Sequence, residues 1–265
     1  MPSFRTALAG VLMMGAMLAA PAHAQTAEER AQLDRVLERG RLLFALDRAA
    51  WVGTDDMVER IADPRGAGIR GYLALPGRDG FEVIFHGGSD QRRVQVYRGV
   101  VAASGVVKRE VFPADARPPL APVHRRMAEA VEAAARAGHR PCGNRPFNPL
   151  VIPPRGESDP IEVYLMTPQV DARLPAGGHF RVTVAPDGTV ASSRPFTNSC
   201  LLLEDPAGAV GLIVSHLLDP VPTEIHVFTA MAAGVPLYVA TRDPARSWEV
   251  SGNSIRLVEA PAERP

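Results

Sequence analysis

The chain has 265 residues, with 29 basic and 29 acidic side chains and a formal net charge of zero at pH 7. Such a balance gives no global field to draw in nucleic acid or an anionic membrane surface. Glycine and proline stay below the level of a disordered chain, and residues 25–265 are enough to bury a proper core. Lys108 is the only lysine, and every other basic side chain apart from histidine is arginine.

The first 24 residues have the form of an export signal. Arg5 supplies the positive start, residues 7–20 run uninterrupted and apolar, Pro21 breaks the helix, and Ala22-His23-Ala24 offers small residues at the cleavage positions. Cleavage is expected between Ala24 and Gln25. The apolar run is too short to span a bilayer comfortably, and no later run approaches that length, so no membrane insertion is expected after cleavage. The reading is a periplasmic or secreted protein. In an oxidising compartment the two cysteines, Cys142 in "CGNRPFN" and Cys200 in "RPFTNSC", are expected to pair as a disulfide. Neither has the CxxC or histidine spacing of a metal site.

Thr26 and Glu29 form a capping box. Apolar residues Leu33, Val36, Leu37, Leu43 and Phe44 then recur at helical spacing, with Gly40 on the same stripe. A second short helix is expected after Thr54, with Asp55 and Asp56 at its positive end and Pro64 and Gly66 beyond it. From Ile69 the period changes to that of strands. "IRGYLAL", "FEVIFHG", "RRVQVYRGVV" and "GVVKREVF" read as an antiparallel meander, with "PGRDG" at 76–80 as the first hairpin loop. Residues 123–137 have the period of a helix, closed by Gly138. "IEVYLMT" alternates as a strand, and "HFRVTVAPDGTVASSR" reads as a hairpin about Pro186-Asp187-Gly188. "AVGLIVSHLL" is strand or helix, which periodicity does not decide. Thr223 is placed to cap a helix ending at Gly234, and "PLYVAT", "SWEV" and "SIRLV" are strands.

These elements predict an α+β fold: antiparallel hairpin and meander sheets with three to four helices packed on one side. Residues 25–265 are expected to form a single exported domain, with a subdivision near 139–148 as the alternative.

The chemistry is sparse. No HxH, HExxH, GxSxG, GxGxxG or phosphate-loop motif occurs, so no metal site and no cofactor are expected. "GGHF" at 177–180 opens a strand whose alternation puts His179, Arg181 and Thr183 on one face, a row suited to an anionic ligand. "FHGGSD" groups His86, Ser89 and Asp90, but a turn rarely holds a catalytic triad. Ser215, His216, Glu224 and His226 share one neighbourhood, yet Glu224 and His226 point apart on a helix. Trp51 and Trp248 suit either sugar or aromatic stacking or plain core packing. The leading expectation is a non-enzymatic module that binds an unknown small molecule or an envelope protein, and no nucleic acid. The alternative is a periplasmic hydrolase or metal-dependent enzyme assembled from His86, His179, His216, His226 and Glu224.

Overall fold

A computed structural model describes residues 25–89, 92–169, 171, 173–204, 208–242 and 244–258. The export signal expected in residues 1–24, Asp90 of the "FHGGSD" turn and the last residues of the chain lie outside that set.

Helix α1 (Ala27–Arg60) runs unbroken for 34 residues. Thr26 caps it by accepting the backbone N–H of Glu29, as the sequence predicts. The expected break near residue 54 is absent. Thr54 does not cap a new helix, because its hydroxyl donates to the Ala50 carbonyl one turn back. Asp56 is held by Arg60, by the Tyr97 hydroxyl and by Arg109. These contacts carry the helix on to residue 60. Its two internal glycines mark close contacts: a Cβ on Gly40 would lie 2.4 Å from Val227 Cβ and 2.7 Å from the Glu224 carbonyl oxygen, and one on Gly53 would meet Val83.

Strands β1 (Ile69–Gly77), β2 (Gly80–Gly87), β3 (Val94–Ala102) and β4 (Gly105–Val111) form the expected antiparallel meander, in the order β1-β2-β3-β4. The first turn is tight, with Gly77 paired to Gly80. Helix α2 (Pro122–Ala135) begins with proline at its first turn, where the missing N–H costs nothing. It ends slightly earlier than its period suggests. A second antiparallel sheet, ordered β5-β6-β8-β9, contains β5 (Asn148–Ile152), β6 (Ile161–Met166), β8 (Phe180–Val184) and β9 (Val190–Pro195). Two short strands, β7 (Leu174–Pro175) and β10 (Leu202–Leu203), pair with each other.

The ambiguous "AVGLIVSHLL" contains a strand, β11 (Leu212–His216). Helix α3 (Glu224–Ala233) follows, then β12 (Leu237–Thr241), β13 (Arg246–Val250) and β14 (Ile255–Val258). Strands β11 and β12 pair in parallel because α3 carries the chain across between them, whereas the rest of this sheet is antiparallel.

The architecture is α+β, with three helices among the described residues. Helix packing on one side is not what the cores show. On β1, Ala74 joins a cluster with Leu43, Leu46 and Ala50 of α1, whereas its neighbours Leu73 and Leu75 join one with Met127 and Ala130 of α2. Likewise Tyr164 and Met166 of β6 face α1, and Val163 and Leu165 face α2. Side chains alternate across a strand, so α1 and α2 lie on opposite faces of the first two sheets. Both faces of β1 and β6 are therefore apolar. A third cluster joins Leu33 of α1 and Val227 of α3 to Val214, Val239 and Trp248 of the last sheet.

Cys142 and Cys200 are bonded, at a sequence separation of 58. Replacing both with serine should cost roughly 4 kcal/mol through the longer unfolded loop, measurable by denaturant titration. Gly40→Ala should cost about 1–3 kcal/mol, the usual range for overpacking. Val227→Ala should relieve little of that cost, since alanine keeps the Cβ 2.4 Å away and leaves the Glu224 carbonyl in place.

Candidate functional site

His179 precedes the strand that carries Arg181 and Thr183, and its ring is turned into the protein interior. It is buried just ahead of β8, with both ring nitrogens engaged: Nδ1 accepts the Thr167 N–H at 3.1 Å and Nε2 donates to the Pro175 carbonyl at 3.1 Å. This pattern requires the neutral ring, and burial holds its pKa down at about 4. Thr167 begins the loop after β6 and Pro175 lies in β7 beyond it, so the imidazole clips that loop shut. The Thr167 hydroxyl also donates to the Gly178 carbonyl and accepts the Cys142 N–H, which ties the loop to the disulfide. Gly178 has a φ of +73°, and a Cβ there would strike the Cys142 sulfur.

Arg181 lies on the α1 face of its sheet, paired across the strands with Tyr164. It forms a network with Glu162, Glu224 and the Tyr164 hydroxyl, which donates to Glu224 at 2.8 Å. Arg39 of α1 also pairs with Glu162. Arg39, Tyr164, Arg181 and Glu224, with Arg35 and Gln32, border a hollow of about 160 Å³. Thr183 sits opposite Glu162 in the register and does not line that hollow.

His226, His216 and His86 are buried within the fold. His226 Nδ1 accepts the Thr223 N–H, the reach-back role that glutamate plays in a capping box. Burial and the neighbouring His216, whose ring centroid is 4.6 Å away, hold its pKa down at about 3. His216 is bound to Asp219, which also pairs with Arg194. His86 is buried beside Arg93, and burial again lowers its pKa to about 4. Glu224 faces Tyr164 and Arg181 rather than either nearby histidine. Among the described residues, no group of three His, Cys, Asp or Glu side chains is arranged to hold a metal.

The larger concavity lies elsewhere, along the second half of α1. Two lobes of about 310 and 420 Å³ share Asp47, Trp51, Asn148, Pro168 and Gln169, and so form one groove. Helix α1 supplies one wall as a stripe at helical spacing: Phe44, Asp47, Arg48, Trp51, Thr54 and Asp55. Tyr72 of β1, Asn148 of β5, Met166 of β6 and Phe228 of α3 also line it. The facing wall is built from Arg145-Pro146 and from the loop that His179 clips. The rings of His179 and Phe228 meet edge to face, 6.5 Å apart.

Within the groove the Asp47 carboxyl makes no hydrogen bond or ion pair among the described residues. Burial raises its pKa to about 6, against the opposing pull of the adjacent Arg48. Trp51 is 49% exposed, whereas Trp248 is fully buried, so core packing accounts for Trp248 and not for Trp51. The structure thus brings together Asp47, Trp51 and Tyr72, none of which the motif search singled out as polar chemistry. Asp47 and Trp51 belong to an aromatic and acidic stripe beside the apolar one on α1, which looks like an ordinary solvated helix face, and Tyr72 lies within a strand of the meander. No family model matches the chain, and no curated protein or solved structure shows significant similarity to it.

The histidines set a pH dependence. His86, His179 and His226 have folded-state pKa values below the ordinary 6.5. The unfolded chain therefore takes up protons first as the pH falls, and the stability present above 6.5 is lost progressively on the way down through about 4. Asp47 acts in the opposite sense between 3.8 and about 6, one group against three. The thermal midpoint should fall between pH 7 and pH 4.5. His179→Ala should cost about 1–3 kcal/mol by leaving the buried Thr167 N–H without its acceptor, and should speed hydrogen exchange at that amide.

Proposed function

We propose that the protein is an exported, non-enzymatic module that binds a small molecule in the groove along α1. The observation that carries this reading is an unpaired carboxyl, Asp47, beside an exposed tryptophan in a concavity of the size small ligands occupy. A wall held by a disulfide and a buried imidazole supports it, because a pre-formed wall loses little entropy when a ligand binds. Export is supported by the form of residues 1–24 and by the disulfide. No described helix is long and apolar enough to cross a membrane. The row of His179, Arg181 and Thr183 has less support as an anion site: His179 is internally satisfied, and Arg181 is shared between Glu162 and Glu224.

A hydrolase or metal-dependent enzyme built on His86, His179, His216, His226 and Glu224 is the weaker reading, since none of these residues lines the groove. An envelope protein as partner is the alternative within the binding class.

Native mass spectrometry on protein recovered from the periplasm, without chelator or reductant, tests both parts. The expected mass is that of residues 25–265 less two hydrogens, with a retained small molecule that Trp51→Ala loses while keeping its thermal midpoint. An adduct that persists in Trp51→Ala would remove the groove from consideration, and bare protein would favour the protein-partner alternative.

A further inference from the structure

We infer that the groove selects an organic cation: an ammonium group set against the Asp47 carboxylate, with an apolar body among Trp51, Tyr72, Phe44 and Phe228. This rests on the groove being the binding site. Asp47 borders both lobes, and no arginine or hydroxyl forms an ion pair or hydrogen bond with it, unlike Asp56, Asp219 and Glu224, which are all engaged by the protein. A ligand covering the groove displaces the water that solvates Asp47. A neutral ligand would then leave a buried carboxylate uncompensated, and an anion would be repelled by it. A cation compensates the charge directly, and aromatic faces stabilise the same charge from the side.

Other charges face the groove. Arg48 follows Asp47 on α1 and Arg145 lies on the opposite wall, both exposed to solvent, and exposed Asp55 offsets part of their field. Exposed charges are screened by salt over about 10 Å, whereas Asp47 is set deeper, where screening is weaker. Tyr72 is held neutral to high pH by burial and by Asp47 itself, so it adds a ring and a hydroxyl but no charge. Because Asp47 titrates near pH 6, its carboxylate is present at pH 7.5 and largely protonated at pH 4.5. Cation affinity should therefore fall on acidification.

The test uses choline and benzylamine as cations, with 3,3-dimethylbutan-1-ol and benzyl alcohol as their neutral counterparts. Each is titrated calorimetrically against the oxidised protein. The expected result is that at least one cation binds tenfold or more tightly than its neutral match. That preference should disappear in Asp47→Asn at pH 7.5 and in the unaltered protein at pH 4.5, where circular dichroism must show the fold intact. Equal binding of cation and neutral match, both lost in Trp51→Ala, would overturn the cation preference and leave the groove standing. Cation binding unaffected by both Asp47→Asn and Trp51→Ala would overturn the inference and the groove together. If neither cation binds at millimolar concentration the inference fails, and the groove is then judged by the mass measurement alone.

Discussion

Where α1 crosses α3, a glycine stands against a carbonyl. Gly40 brings its backbone so near Val227 and the Glu224 carbonyl that no other residue fits without displacement. Much of the molecule is positioned by that approach. It fixes the first turn of α3, and with it the Glu224 carboxylate against Tyr164 and Arg181. It seats Val227 in the core of the last sheet. The next residue, Phe228, is thereby placed beside Phe44, at a centroid separation of 6.1 Å, in the lining of the groove. A single long helix thus takes part in two hydrophobic clusters, and its second half remains available to form a wall.

The facing wall depends on a chain of small connections rather than on bulk. The disulfide holds Cys142, whose N–H reaches the Thr167 hydroxyl. That hydroxyl reaches Gly178, and His179 then joins Thr167 to Pro175. Loops carry their own backbone polar groups and must satisfy them or remain wet. Here a side chain that could have been a ligand contact satisfies them instead. Protonation of that imidazole would remove one acceptor from a buried amide, so the wall and the fold weaken together in acid.

Charge is distributed with the same economy. Several buried and half-buried arginines have carboxylate partners, Arg39 and Arg181 on Glu162, Arg93 on Glu132, and Arg194 on Asp219, whereas Arg41 and Arg126 are held by backbone carbonyls. The buried histidines His86, His179 and His226 are held neutral by desolvation. Asp47 is a partly buried aspartate with no hydrogen bond or ion pair among the described residues. Perturbed, unpartnered groups in concavities are where binding and catalysis concentrate.

The local elements were largely legible in the sequence. Runs of β-branched and aromatic residues between turn signals located the meander strands, the Thr26 capping box located the start of α1, and Pro186-Asp187-Gly188 located a hairpin, because these signals depend on neighbours in sequence. The cysteine pairing followed from there being only two cysteines, read with the form of an export signal. What the sequence left undecided depends on contacts far apart in the chain. Thr54 looked like a cap because its alternative partner, the Ala50 carbonyl, exists only if the helix is already continuous. Helices on opposite faces could not be distinguished from helices on one face, since alternation says that a strand has two sides and not what covers each. His179 and Asp47 show the same limit in opposite directions: a histidine after two glycines proved to be a brace, and an aspartate on a plain helix face proved to be unpaired among the described residues. Partnering is a property of space, and only the tertiary structure assigns it.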